Sequence, residues 1–209
     1  GAIIAPIAQG LDLGAKDFTP IAQVSFVPWI MTAGANSGYK SMDDFISAAK
    51  ASDGKMAIEI SDIATSDHYG WLLLLKEAGI SPSNFKWNPH GGGGPKMRAI
   101  LAGEGDLFYD DAGEIEGYVK AGELIPLAVA SNSRLAQFPD VPTMKELGYN
   151  VVAGSSVAIY GPPGLPADMV SVLQNAMNEI KEDPALLKAF ELTLQDPTTF
   201  VVDEFAEAY

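Results

Sequence analysis

Cysteine is missing from all 209 residues, which removes thiol nucleophiles, iron–sulfur clusters, cysteine zinc sites and disulfide scaffolds together. Arginine is scarce: Arg98 and Arg134 are the only two, and 13 basic residues face 27 acidic ones for a net charge of −14. A nucleic-acid binder needs a Lys/Arg stripe that displaces counterions from phosphates, so no nucleic-acid partner is expected. Long apolar runs are missing too. The longest, 71–75, falls far short of the ~20 residues that cross a bilayer, and no membrane insertion is expected.

Several motifs are also lacking. The run Gly91 to Gly94 is followed directly by Pro95-Lys96, with no Ser or Thr after the lysine, so it is neither a phosphate loop nor a G-x-G-x-x-G turn. Gly154-Ser-Ser156 lacks the second glycine of a hydrolase elbow. With only two histidines and no His-x-x-x-His, a metal cluster of His68, His90, Asp67, Asp110 and Asp111 finds no support in spacing.

What remains is a chain with 47% apolar residues, 21 glycines and 14 prolines, long enough for one large domain or two small lobes. Such a length buries about 70% of the unfolded surface and needs no covalent staple. Segments 21–27 and 29–33 read as strands divided by Pro28, which has no N–H for a ladder. Ser41-Met-Asp-Asp44 resembles a capping box and opens a short helix ending near Gly54. Then the grammar becomes regular: a strand at 56–60, a helix at 66–78 closed by Gly79, a strand at 84–88, a helix from Pro95, a strand at 106–109 and a helix at 112–121. Alternation of this kind predicts right-handed crossovers and a parallel sheet. Further strands are expected at 125–130 and 157–160, with a second capping box at Thr143-Met-Lys-Glu146. The longest helix, 167–182, carries Met169, Val170, Leu173, Met177 and Ile180 at helical spacing and reads most simply as a core helix. The first residue is Gly1 and the last seven read as an uncapped helix, so a fragment of a longer protein is expected.

In open parallel sheets, ligands sit beyond the carboxyl ends of the strands. Loops 61–66, 88–94 and 109–112 meet that description and should lie along one edge. They offer hydroxyls and bare amides: Ser61, Thr65, Ser66 and four successive glycines. A helix N-terminus carries about half a positive charge and unpaired N–H groups, which suits a carboxylate. The overall acidity does not forbid this, since hydrogen bonds to a charged group contribute about 1.5–3 kcal/mol each while distant exposed charges are screened beyond about 8–10 Å. Blander readings stand beside these. Ser66 is equally a plain N-cap, and the glycine run a flexible turn. The pair Asp110-Asp111 suits acid and base chemistry, yet adjacent residues point to different sides of a strand, and such a pair more often caps the next helix.

The order of motifs resembles the substrate-binding proteins of tripartite tricarboxylate transporters, the Bug family of solute receptors. The matching stretches are Lys16-Asp-Phe-Thr-Pro-Ile-Ala22, Ser41-Met-Asp-Asp-Phe45, Ala64-Thr-Ser-Asp-His68, Gly91-Gly-Gly-Gly-Pro95, Gly103-Glu-Gly-Asp-Leu-Phe-Tyr-Asp110, Ala121-Gly-Glu-Leu-Ile-Pro-Leu-Ala128, Phe138-Pro-Asp-Val-Pro-Thr143 and Gly161-Pro-Pro-Gly-Leu-Pro166. The resemblance implies an α/β, two-lobed periplasmic-binding-protein-like fold (type II) with parallel-rich sheets flanked by helices. It implies a periplasmic receptor, not an enzyme, that holds a small organic carboxylate in the interlobe cleft, delivers it to integral membrane transporter subunits, works as a monomer and needs no cofactor. The alternatives are an enzyme acting on small acids through Asp110, Asp111 and His68, and a ligand sensor for a signalling partner.

Carried over by position, the resemblance places ligand contacts at Ser61, Thr65, Ser66 and His68, at His90, Gly91 and Gly92, at Tyr109, Asp110 and Asp111, and at Ser155 and Ser156 in the other lobe. His90 and Tyr109 suit stacking or hydrogen bonding to a ligand, and core packing equally well. Two departures stand out: Ser61-Asp-Ile-Ala64 replaces a glycine-rich lead, and Asp111 replaces an amide. A carboxylate beside an anion is unfavourable unless protonated or faced by a cationic or hydroxyl group, which leaves room for ligands bearing an amino group or polyol. The expected intact lobe is 34–128, and the incomplete one is 1–33 with 129–209. Hinge strands are expected near 29–33 and 127–131, with apolar surface exposed where a strand of the incomplete lobe would pair.

Overall fold

The computed structural model describes residues 10, 12–192, 199–203 and 205. The expected terminal helix from Asp203 lies largely outside them. The described chain holds six strands, β1 (Thr19–Gly34), β2 (Met56–Ile60), β3 (Phe85–Pro89), β4 (Leu107–Asp111), β5 (Leu124–Val129) and β6 (Gly154–Gly161). Its helices are α1 (Met42–Ala51), α2 (Ser66–Ala78), α3 (Gly93–Leu101), α4 (Ala112–Lys120), α5 (Ala167–Lys181) and α6 (Pro184–Leu192). Two compact units form, one of Pro28–Gly154 and one of Gly1–Val27 with Ser155–Tyr209.

In the Pro28–Gly154 unit the strand order is β3-β2-β4-β1-β5. β2 runs parallel to β3 and β4, as alternation with helices requires, with Met56 opposite Phe85 and Ile58 opposite Leu107. The C-terminal part of β1 enters antiparallel between β4 and β5, setting Trp29 against Asp111 and Ile30 against Val129, so the sheet is mixed. Pleating sends alternate residues to opposite faces. Leu107 and Tyr109 join Phe45, Trp71, Leu74 and Leu75 beneath α1 and α2, while Phe108 joins Met97, Ile100 and Ile115 beneath α3 and α4.

Local signals act as their chemistry dictates. Ser41 Oγ accepts the Asp44 amide at 3.1 Å and starts α1, and Gly79, at φ 65°, closes α2 in the left-handed conformation. The second capping box is fully formed: Thr143 Oγ1 accepts the Glu146 amide at 3.1 Å, and Glu146 Oε2 accepts the Thr143 amide at 2.7 Å. It opens a turn over 144–148 that ends at Gly148, where φ is 91°.

Residues 129–154 belong to this unit through tertiary contacts. Val129 N donates to Pro142 O at 2.9 Å, Ala153 N to Ala130 O at 3.0 Å, and Met144 and Val151 are buried in the α1/α2-side core. The units therefore divide at 27/28 and 154/155, whereas the sequence placed lobe boundaries at 33/34 and 128/129. Segments 21–27 and 29–33 are one continuous strand, and Pro28 marks its passage from one unit to the other.

In the other unit, β6 pairs with β1, and Gln23 bridges Val201 with backbone bonds of 2.8 and 3.0 Å. Ile21, Ala22, Phe190, Phe200 and Val202 form its buried cluster. The helix expected in the core, α5, has no buried residue: Val170 and Met177 lean on that cluster, while Met169, Leu173 and Ile180 are exposed. Its apolar stripe is wider than the surface that meets it among the described residues.

Candidate functional site

Because β2, β3 and β4 are parallel, their carboxyl ends share one edge, and the sheet brings loops 61–66, 88–94 and 109–112 together there. Direct bonds join them. His90 N donates to Ile60 O at 3.0 Å and Gly91 N to Ser61 O at 2.7 Å, tying the β3 tip to the β2 tip. Gly91 adopts φ 77°, which a glycine takes without steric cost and which turns the chain into α3.

The first loop is organised around Asp67, a buried residue in the first turn of α2. It accepts the Ser61 amide at 2.7 Å and the Thr65 hydroxyl. Burial opposes its charge, but the Thr65 hydroxyl, the Lys96 ammonium and Ser61 outweigh burial and hold its carboxyl below the usual range. Thr65 Oγ1 is also 2.5 Å from Asp62 O, so this hydroxyl serves the loop. His68 Nδ1 accepts the Ala64 amide at 3.1 Å, its ring meets Trp87 edge-on at 4.8 Å, and burial lowers its pKa, with Asp67 opposing. Ala64 sits at φ 65°, a conformation that favours glycine, at the stretch where the sequence departs from a glycine-rich lead.

The second loop is anchored by Glu59, a fully buried carboxylate on β2. Asn88 Nδ2 donates to it at 2.7 Å and the His90 ring nitrogen Nε2 contacts its other oxygen. His90 Nε2 is thus engaged by Glu59 directly before the glycine turn.

The third tip divides. Tyr109 is wholly buried on the α1/α2 side, 4.5 Å from the Trp71 ring and 6.0 Å from Trp29, its hydroxyl on Met144 Sδ at 3.6 Å; burial pushes its phenol far up. Of its two open readings, core packing is the one realised. Asp110 is 7% exposed, and its Oδ1 accepts the Asp111 amide at 3.0 Å. Burial, with Glu114 and Asp111 adding to it and Lys96 opposing, pushes Asp110 up to about 7. Burial and then Glu114 push Asp111 up to about 6, against Lys96 and a hydrogen bond from Trp29. One buried oxygen on each, Asp110 Oδ2 and Asp111 Oδ1, has no hydrogen-bond partner.

Lys96, in the first turn of α3, is the residue that sequence reasoning passed over. It is 3% exposed, with Nζ 2.5 Å from Tyr109 O, 3.5 Å from Asp67 Oδ2 and 3.7 Å from Asp110 Oδ2. A signal was present: Lys96 lies three and four residues before Ala99 and Ile100, on the helix face that is buried.

The amides of Ser66, Gly92, Gly93 and Gly94, at the starts of α2 and α3, have no acceptor among the described residues. Ser155 and Ser156 lie on β6, in the other unit, where Ser156 Oγ donates to Gln23 Oε1 at 2.9 Å. Among the described residues no three His, Asp or Glu side chains are grouped to hold a metal ion. No helix among them is long and apolar enough to cross a membrane.

A family profile described as tripartite tricarboxylate transporter family receptor matches residues 5–203. Protein BugT of Bordetella pertussis is 27% identical over 208 residues, covering 96% of this chain and 63% of its own length. A TctC solute binding protein from Polaromonas superposes with a TM-score of 0.80 at 24% identity, over 98% of this chain and 70% of that one. MatC from Rhodopseudomonas palustris, solved with bound malate, gives a TM-score of 0.72 at 21% identity, over 95% and 66%. These structures share the periplasmic-binding-protein-like α/β fold, and the chain spans 63% of the length of BugT and about half that of a second curated Bordetella relative.

Proposed function

Because the chain belongs to the tripartite tricarboxylate transporter receptor family, we propose that it is part of a periplasmic receptor that captures a small organic carboxylate and presents it to integral membrane transporter subunits. The family is one of solute-binding receptors, not enzymes. One observation carries the carboxylate reading: unengaged amides of Ser66 and Gly92 to Gly94 stand at two helix N-termini on the same sheet edge, with the buried Lys96 ammonium carried by the first turn of α3 and 3.5 Å from Asp67 in the first turn of α2. Oriented N–H groups and helix ends supply positive potential without the mobile charge of an exposed arginine. The Ser66 hydroxyl adds a further donor, while Asp110 and Asp111 supply acceptors once ionised.

The test is calorimetric titration of malate and adipate into the full-length protein. Ser66→Ala removes one donor and should weaken binding by about 1.5–3 kcal/mol if that donor meets a carboxylate. Ser66→Pro also removes the amide, and it suits the site, because Ser66 is the first helical position and Thr65 has extended backbone at ψ 168°. Its loss should exceed that of Ser66→Ala with the melting temperature held. Equal affinity in all three proteins would remove Ser66 from the site.

A further inference from the structure

We propose that Lys96 is a positioning residue of this carboxylate site: its buried ammonium fixes the three strand-end loops in one arrangement without touching the ligand. The inference rests on the receptor reading above. Its basis is geometric. A buried ammonium is costly unless acceptors surround it, and here they come from different loops. Tyr109 O at 2.5 Å and Asp110 Oδ2 at 3.7 Å belong to the β4 tip, and Asp67 Oδ2 at 3.5 Å to the start of α2. Lys96 itself is carried by α3, directly behind the glycine turn.

The tie continues outward. Asp67 passes it to the Ser61 amide and the Thr65 hydroxyl, and Ser61 O passes it to the Gly91 amide at 2.7 Å. A circuit therefore runs from α3 through Asp67 and Ser61 back to the glycine turn, with the β4 tip joined by Tyr109 O. The Nζ also lies 5.7 Å from the Phe108 ring centroid, so the ammonium is bounded by an aromatic face on the sheet side. An apolar residue of similar length would fill the same volume, and where a buried ion pair is replaced as a whole such packing often serves stability as well. It would supply none of the three polar ties, and those ties are what set the neighbouring unengaged amides of Ser66 and Gly92 to Gly94 in register.

The charged groups acting with Lys96 are Asp67 on α2 and Asp110 and Asp111 at the end of β4, and Glu114 on α4 acts in turn on the two β4 aspartates. Removing the lysine alone leaves buried carboxylates uncompensated, so the informative variant also neutralises Asp110, while Asp67 keeps the Ser61 amide and the Thr65 hydroxyl as partners. In the full-length protein, Lys96→Met/Asp110→Asn is compared with Asp110→Asn by melting, by titration with malate and adipate, and by amide hydrogen exchange without ligand. The expected result is a melting temperature within a few degrees, affinity at least tenfold weaker, and exchange at the loop-bonded amides of Ser61 and Gly91 at least tenfold faster. Unchanged exchange at both amides, or affinity equal to that of Asp110→Asn, overturns the positioning role. Should the wild-type protein take up neither acid, the choice of a simple dicarboxylate ligand fails, while the ligand-free exchange comparison still decides the positioning role.

Discussion

At the scale of single residues, backbone conformation and buried charge pull in different directions. Ala64 holds a left-handed backbone at φ 65°, which costs an L-residue with a side chain about 1–2 kcal/mol. Glycine relieves that strain but loses more chain entropy on folding, so Ala64→Gly is expected to stabilise by only about 0.5–1 kcal/mol. A rise in the urea midpoint at constant m-value checks this, and a fall shows that the Ala64 methyl supports the loop. Gly105 displays the opposite constraint. A Cβ there would lie 2.2 Å from Glu59 Oε1, so the glycine is what allows the fully buried carboxylate its place under the β3 tip.

At the scale of elements, side-chain caps decide where turns begin, and tertiary contacts decide how far they extend. The reciprocal bonds of Thr143 and Glu146 satisfy two amides of a turn that never lengthens into a helix. Thr143 is nonetheless buried, and Val129 pairs with it as an isolated bridge. Thr143→Ala should therefore cost about 1 kcal/mol, the usual loss for an N-cap hydroxyl, read by denaturation of the whole chain. A neutral result would mean that the Val129 bridge alone holds the turn.

At the scale of the whole molecule, acidity sets the pH response. Asp110 and Asp111 bind protons more tightly when folded, with values near 7 and 6, than an ordinary carboxylate does near 4. Between about pH 4 and 7 the folded state thus holds more protons than the unfolded one, and stability falls as pH rises through that window. Asp67 acts in the reverse sense: its stabilising ionisation is lost as pH drops below the ordinary carboxylate range. The melting temperature should accordingly climb from pH 8 to about pH 5 and decline in stronger acid. The net charge of −14 contributes to the same rise, so Asp110→Asn is the control: part of the slope above pH 5 should vanish with it. A slope unchanged by that substitution would assign the effect to overall repulsion.

The amino-acid order by itself determined the alternation of strands and helices from 56 to 121, the cap at Ser41, the stop at Gly79 and the loops that share a sheet edge, because periodicity and capping are local properties of a few neighbouring residues. It left open, or read otherwise, whatever depends on partners far along the chain. The insertion of β1 between β4 and β5, the attachment of 129–154 to the Pro28–Gly154 unit and the exposure of the α5 stripe are all settled by what packs where. The site divides in the same way. Its glycine turn and helix starts were legible, while the withdrawal of Tyr109 into the core, the engagement of His90 by Glu59 and the central place of Lys96 came only with the fold. The physical reason is that a buried charge or ring is defined by the groups surrounding it, and those groups meet only when distant segments have come together.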